Sequence, residues 1–300
     1  MDTIDYTKMD TKIDFVIPLH RMHTIFRCTI EGISKLYSPQ NIYIITPFSE
    51  IGKIKWEHWD IGNTTIKCIS EDLFFESFSK SDLESFYTRI DENSREFGWW
   101  YQQLLKMGAT RQIAGLSDPY MVWDSDLIPI QRWEIYPTKN YPHFRFAILQ
   151  ETARSEWNIS QYKESIYELI GMNTVEPEEG TFVPHHFIMY RSVLEELFEH
   201  IERKSGKPWF LSIVSLSSEF WRFSEYKCIA TFMTEKKPEL LHYHPFQKYG
   251  HGLRFRDSRE IYQEITELVP EDEDVSYDII LEYVGKKWDI VPTYLQLEHL

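Results

Sequence analysis

The sequence predicts an α/β fold with a mostly parallel central sheet flanked by helices, and three observations carry that prediction. Short apolar runs stopped by proline or polar residues recur through the first 130 residues, as buried strands do. Segments with apolar residues at helical spacing lie between them, so strand, helix and strand alternate as in a Rossmann-like sheet. The 300 residues, 42% of them hydrophobic, can bury a sizeable core and show neither repeats nor a low-complexity linker.

In chain order, residues 1–11 are polar and expected to be loose. Lys12-Ile-Asp-Phe-Val-Ile-Pro18 reads as the first strand, apolar enough to be central and stopped by Pro18. A helix follows over 22–36, with Ile25, Cys28, Thr29, Gly32, Ile33 and Leu36 at helical spacing. Asn41-Ile-Tyr-Ile-Ile-Thr46, closed by Pro47, is the second strand, and Thr65-Ile-Lys-Cys-Ile69 the third. Residues 81–92 are charged and read as a helix or a surface loop. Gly98 opens a helix over 99–114, stopped near Gly115, which leads into a fourth strand. Beyond it, 144–149 reads as a strand, 160–170 as a helix and 187–190 as a strand. Helices follow over 192–204 and over 209–234, the latter broken near 217–224, and 240–244 is a late strand. One domain over 12–255 is the simplest organisation, with 256–300 as a helical extension packed on it.

Composition narrows the function. A net charge of −15 argues against binding nucleic acid or an anionic membrane surface. The acidic runs at 175–180 and 270–274 read as solvated loops. Cys28, Cys68 and Cys228 are widely spaced, so neither a disulfide framework nor a zinc site is expected, and a reducing compartment fits. The first residues lack a signal-peptide apolar core and no window approaches a membrane span, which predicts a cytoplasmic protein. Aromatic residues make up 16%, a mild tilt towards sugar handling.

The most informative stretch is Pro119-Tyr-Met-Val-Trp-Asp124-Ser125-Asp126-Leu-Ile-Pro129. Alternate residues of an extended segment project the same way, so Asp124 and Asp126 are expected to converge at a strand end. Ligands of open α/β sheets bind at strand C-termini. Two carboxylates there suit Mg²⁺ or Mn²⁺, which favour oxygen ligands and share their shell with substrate phosphates.

Four further segments carry candidates. On the helix over 99–114, Trp99, Gln102 and Lys106 share a face flanked by Gln103, placing them near a nucleotide or its phosphates; the alternative is a core helix. In Trp221-Arg-Phe-Ser-Glu225, Glu225 near a helix start is a candidate general base, the alternative being a cap or an ion pair with Arg222. Leu240-Leu-His242-Tyr-His244-Pro-Phe-Gln-Lys248-Tyr-Gly-His251 offers imidazoles as a third metal ligand, His244 ranked before His251, while Lys248 or Arg254 would neutralise phosphate. Adjacent His185 and His186 alternate faces of a strand, so one of them at most reaches a site; His186 and Glu151 are candidates for substrate contact, as is Trp221.

With these segments in order the chain resembles GT-A-type glycosyltransferases, particularly the glycosyltransferase-like proteins of bacteria and large viruses. The matching residues are Ile13-Asp-Phe-Val-Ile-Pro18, Gly98-Trp-Trp-Tyr-Gln-Gln-Leu-Leu-Lys106, Val122-Trp-Asp-Ser-Asp126, Pro184-His-His-Phe-Ile-Met189 and Phe223-Ser-Glu-Tyr226. The resemblance implies a single GT-A-like domain moving a sugar from a nucleotide-sugar, UDP-sugar by default, to a glycan or protein hydroxyl. It implies Mn²⁺ or Mg²⁺ on Asp126, with Asp124 on a metal-bound water or the ribose, and a catalytic or acceptor role for Glu225. It would act in bacterial or virus-infected host cytosol, and the extension has room to support a homodimer. A degenerate nucleotide- or sugar-binding protein of this fold, a nucleotidyltransferase and a phosphotransferase are the competing readings. Haloacid-dehalogenase-like phosphotransferases carry their Asp-x-Asp on the first strand, whereas here that strand runs into Ile17-Pro-Leu-His20.

Overall fold

A strand whose residues are all apolar must be covered on both faces, and Phe15–Pro18 (β1) is buried throughout. The computed structural model describes residues 12–75, 77–90, 97–146, 156–177, 181–216, 223–243, 253–255, 258–269 and 275–298. In it β1 is the central strand. It pairs in parallel with Asn41–Thr46 (β2), with Phe15 opposite Ile42, and with Tyr120–Trp123 (β4), with Phe15 opposite Met121. Thr65–Ser70 (β3) runs parallel beyond β2, and His186–Met189 (β6) pairs antiparallel with β4, giving the order β3-β2-β1-β4-β6. The fold is therefore α/β, with a mostly parallel five-stranded sheet flanked by helices.

Phe26–Tyr37 (α1), Phe48–Ile51 (α2), Lys80–Ile90 (α3) and Phe97–Gln112 (α4) connect the parallel strands. Glu156–Ile170 (α5), Arg191–Ser205 (α6), Trp209–Ser215 (α7) and Glu225–Lys236 (α8) follow. Helix α4 packs on β1 and against α6 and α8. Trp100, Tyr101, Leu104 and Leu105 are buried there in the main core. Helix α1 instead divides its contacts: Phe26, Ile30 and Ile33 enter the main core, while Ile25 and Cys28 face a second cluster. All three cysteines are free.

The second cluster is where the structure departs from expectation. The segment expected to be helical does form Arg259–Thr266 (α9) and Tyr277–Lys287 (α10), but it continues into a buried strand, Tyr294–Leu297 (β8). That strand pairs antiparallel with Leu127–Pro129 (β5), directly after the Asp-Ser-Asp, and parallel with Leu253–Phe255 (β7). The physical reason is the exposed edge that β5 would otherwise present. Leu295 and Leu297 then fill the space beside Ile128 and Ile25. Over 240–243, the described part of the strand expected at 240–244, no strand forms: Pro238 begins a 3₁₀ turn to Leu240, and Tyr243 makes an isolated bridge to Phe146. Of the strand expected over 144–149, residues 147–149 lie outside the described residues.

Leu295 is fully buried between the helices of the second cluster and β5. Leu295→Ala is expected to cost about 2–5 kcal/mol of unfolding free energy. Urea titration measures it, and a loss below about 1 kcal/mol would mean that β8 is not a structural part of the domain.

Candidate active site

The sheet order sets where a site can form. From β1 the chain moves outward to β2 and β3, then returns across β1 to place β4 on its other side. The crevice beyond the C-terminal ends of β1 and β4 is thus the topological switch point, where loops on either side diverge and leave room for a ligand. Asp124 follows the last residue of β4.

The two aspartates do converge, but by a turn and not along an extended strand. The Leu127 N–H donates to the Asp124 carbonyl, closing a four-residue turn (3.2 Å), and the Trp123 indole donates to the Leu127 carbonyl (2.7 Å). The turn is held from three other elements. The Asp124 N–H donates to the His185 carbonyl (3.0 Å) and the Thr29 hydroxyl of α1 donates to the Ser125 carbonyl (3.0 Å). The Leu297 N–H of β8 donates to the Asp126 carbonyl (3.1 Å). With its backbone so tied, the loop offers its two carboxylates in fixed positions.

Behind the turn lies a buried charge cluster. The Lys106 ammonium, delivered by α4, sits 2.7 Å from Asp124 Oδ1, 3.0 Å from Glu225 Oε1 and 3.0 Å from the Tyr226 hydroxyl. An ammonium has three N–H donors, and here three oxygens meet it. Burial works against the charged Lys106, but Asp124 and Glu225 outweigh it and hold its pKa well above the usual lysine value. For Asp124, burial favours the acid, yet Lys106 and His185 override it and keep the carboxyl well below the ordinary carboxylate range. Asp126 has no such partner. Burial first, and then the charge on Asp124, push its pKa up to about 7. The amide of Gln296 on β8 meets it, with Nε2 3.5 Å from Oδ1.

Several sequence-derived candidates meet here. Asp124, Asp126, Gln103, Lys106 and Glu225 share the cluster, Gln103 Oε1 accepting the Glu225 N–H (3.0 Å). Their arrangement differs from expectation in two respects. Lys106, expected at the phosphates, has its donors engaged by protein oxygens. Glu225, expected as an accessible base, is buried against Lys106 in the first turn of α8, whose cap is Ser224. Glu225 forms its ion pair with Lys106, while Arg222, the partner considered from the sequence, lies outside the described residues. Trp99 and Gln102 lie partly exposed on the same helix, Trp99 edge-on to Trp100.

The histidine pair also resolves differently. His186 pairs with Trp123 across β4 and β6 and is buried between Trp123 and Trp133, with ring centroids 4.8 and 3.9 Å away. It is a core residue and not a substrate contact. Burial, and then His185, hold its pKa well below the usual imidazole value. His185 is the one that reaches the site: its Nδ1 lies 3.0 Å from Asp124 Oδ2. His244, His251, Lys248, Glu151 and Trp221 lie outside the described residues, while His242 stacks on His143 away from the cluster (4.1 Å between centroids). Sequence reasoning missed Gln296 and Tyr226 altogether. Tyr226 stood one residue from Glu225, but nothing local pointed from Gln296 to Asp126, 170 residues away.

Among the described residues no group of three or more His, Cys, Asp or Glu side chains forms a ready-made metal site. The donor set nevertheless fits a hard cation that shares its shell with substrate. Among the described residues Asp126 has no cationic side chain bonded to it, only the long contact from Gln296 Nε2, and the buried Oε1 of the same amide has no hydrogen-bond partner. When ionised, the three carboxylates of the cluster face one ammonium, a deficit of two positive charges that a divalent ion would balance.

The chain matches, over residues 10–265, the model of a family of unknown function, DUF6492. No curated protein matches it. Among solved structures, mouse xyloside xylosyltransferase 1 in its apo form is 9% identical, with 95% of this chain and 97% of that chain covered and a TM-score of 0.42. An active-site mutant of LgtC is 9% identical, with 96% and 88% covered and a TM-score of 0.43. The PaToxG glycosyltransferase is 10% identical, with 86% and 74% covered and a TM-score of 0.37. Among the described residues no helix is long and apolar enough to cross a membrane.

Lys106→Met should leave Glu225 as an unpaired buried carboxylate and Asp124 with His185 alone, and destabilise the fold by about 3–5 kcal/mol in chemical denaturation. A change below about 1 kcal/mol would remove the cluster as a structural centre. A second expectation concerns pH. His186 stays neutral when folded but takes up a proton when unfolded, so its contribution is complete above about pH 6.5 and declines as pH falls, by up to about 1.4 kcal/mol per pH unit. Urea titrations at several pH values should show a shallower acid-side decline for His186→Phe than for the wild type; equal slopes would count against the buried neutral imidazole.

Proposed function

The chain belongs to the DUF6492 family, and we propose that it is a metal-dependent glycosyltransferase, moving a sugar from a nucleotide-sugar to a hydroxyl of a glycan or protein acceptor. The observation that carries this reading is the pinned Asp124–Asp126 turn at the switch point of the sheet. A nucleoside diphosphate leaving group is strongly anionic, and an acidic site at a strand end handles it only together with a cation.

Asp126 is the residue we assign to the metal, with Gln296 Oε1 as a neutral oxygen donor beside it. Asp124, occupied by Lys106 and His185, orients its neighbours instead of ligating. When bound, Mn²⁺ or Mg²⁺ supplies Lewis-acid neutralisation of charge on the departing diphosphate. Lys106 and Glu225 serve this chemistry from behind: they fix the position and ionised state of Asp124 without touching substrate. UDP is the default nucleotide, and a pentosyl or hexosyl group the default cargo.

Calorimetric titration of UDP is expected to show binding in the presence of Mn²⁺ and little without it. Asp126→Ala is expected to lose transfer from UDP-sugars while keeping the wild-type thermal melt. Near-normal turnover in that variant would remove the metal assignment. Failure of both UDP and GDP to bind, with Mn²⁺ or Mg²⁺ present, would remove the donor reading and favour a phosphotransferase or a degenerate fold.

A further inference from the structure

We propose that His185 is the general base of the transfer, its Nε2 taking the proton of the acceptor hydroxyl while Asp124 holds the ring; this rests on the glycosyl-transfer reading above. The geometry is that of a carboxylate–imidazole dyad. A carboxylate only accepts, so the Nδ1 atom 3.0 Å from Asp124 Oδ2 carries the hydrogen and donates it. That fixes the tautomer and leaves the Nε2 lone pair directed away from Asp124. Nε2 has no partner among the described residues.

The backbone at His185 points the same way. Its φ of 62° is a left-handed conformation that costs a non-glycine residue about 1–3 kcal/mol. The Asp124 N–H bond to its carbonyl compensates and locks the peptide in place. The consequence is a change of direction at the start of β6: His186 turns into the core at 1% exposure, while the His185 side chain keeps 14%. A fold that needed only a spacer here would be served by glycine or asparagine at lower cost.

Elimination among the neighbouring groups supports the assignment. Glu225 is engaged with Lys106, whose ammonium donates to Glu225 and Tyr226 and is ion-paired with Asp124. Asp126 faces Gln296 and the assigned cation. His185 is the described group at this crevice that combines an orienting carboxylate with an unpartnered basic atom.

The step is a single inverting displacement. The acceptor oxygen bonds to the anomeric carbon as the bond from that carbon to the diphosphate oxygen breaks, and the electron pair departs with the diphosphate. The hydroxyl proton passes to Nε2, forming an imidazolium beside the Asp124 carboxylate, which stabilises it.

The test uses the full chain with Mn²⁺ and reads UDP release, with water as acceptor, from UDP-glucose, UDP-galactose and UDP-N-acetylglucosamine. His185→Gly suits the left-handed backbone and opens space for an added base. Release is expected to fall by about 10²–10⁴-fold, UDP affinity by calorimetry to stay within about threefold, and free imidazole to restore part of the rate. His185→Asn, also at ease in this conformation, should show the same loss and no rescue. Release within about threefold of wild type in either variant would overturn the proposal while leaving the donor reading standing. So would a loss of rate matched by an equal loss of UDP binding and unaffected by imidazole. No release by the wild type from any of the three donors would overturn both.

Discussion

One buried ammonium holds the centre of this protein together. Lys106 joins α4 to the turn after β4 through Asp124 and to α8 through Glu225 and Tyr226. Its carbonyl also accepts the Tyr120 hydroxyl from within β4. Desolvating a charge in this way costs several kcal/mol unless its partners are well placed, so the cluster is specific before it is stabilising. Moving any one of the three elements leaves an uncompensated charge in the interior. The register of α4 against the sheet, and with it the position of Asp124, is fixed by that penalty.

Around this anchor the functional groups divide by depth. Lys106, Glu225, Tyr226 and His186 are internal and set positions. Asp124, Asp126 and His185 keep part of their surface exposed, Asp126 on the β8 side of the turn and His185 just before β6. The turn between the two aspartates is held from three sides, because α1, the residue before β6 and β8 each bond one of its peptide groups. Such over-determination is how a short loop keeps two like charges together despite their mutual repulsion.

Local pattern made much of this legible. β1 and β2 stand out because prolines bound continuous apolar runs, and α4 because its aromatic start and glycine stop bracket sixteen helical residues. Asp124, Asp126, Gln103, Lys106 and Glu225 are each readable as candidates from their place on a strand end, a helix face or a helix start, and the fold brings them together. What local pattern could not supply was pairing. Lys106 looks free on a helical wheel, and only the packing of α8 across α4, 119 residues along the chain, shows where its charge goes. Strand alternation says that one of His185 and His186 faces inward, but the choice follows from the register that sets His186 opposite Trp123. The four-residue run Tyr-Leu-Gln-Leu at 294–297 is too short to distinguish from a helix tail, and its strand character comes from the β5 edge it covers.

That last strand bears on how the protein is made. Asp126 and Gln296 are 170 residues apart in sequence, and the β5–β8 pairs are separated almost as widely. During synthesis from the N-terminus, the five strands of the main sheet emerge while β8 is still to come. Contacts of such separation form late, since the intervening loop must first be closed. The crevice therefore passes through a stage in which β5 is an open edge and the amide beside Asp126 is missing. The nascent protein would be a folded sheet whose candidate site still lacks the side that β8 supplies.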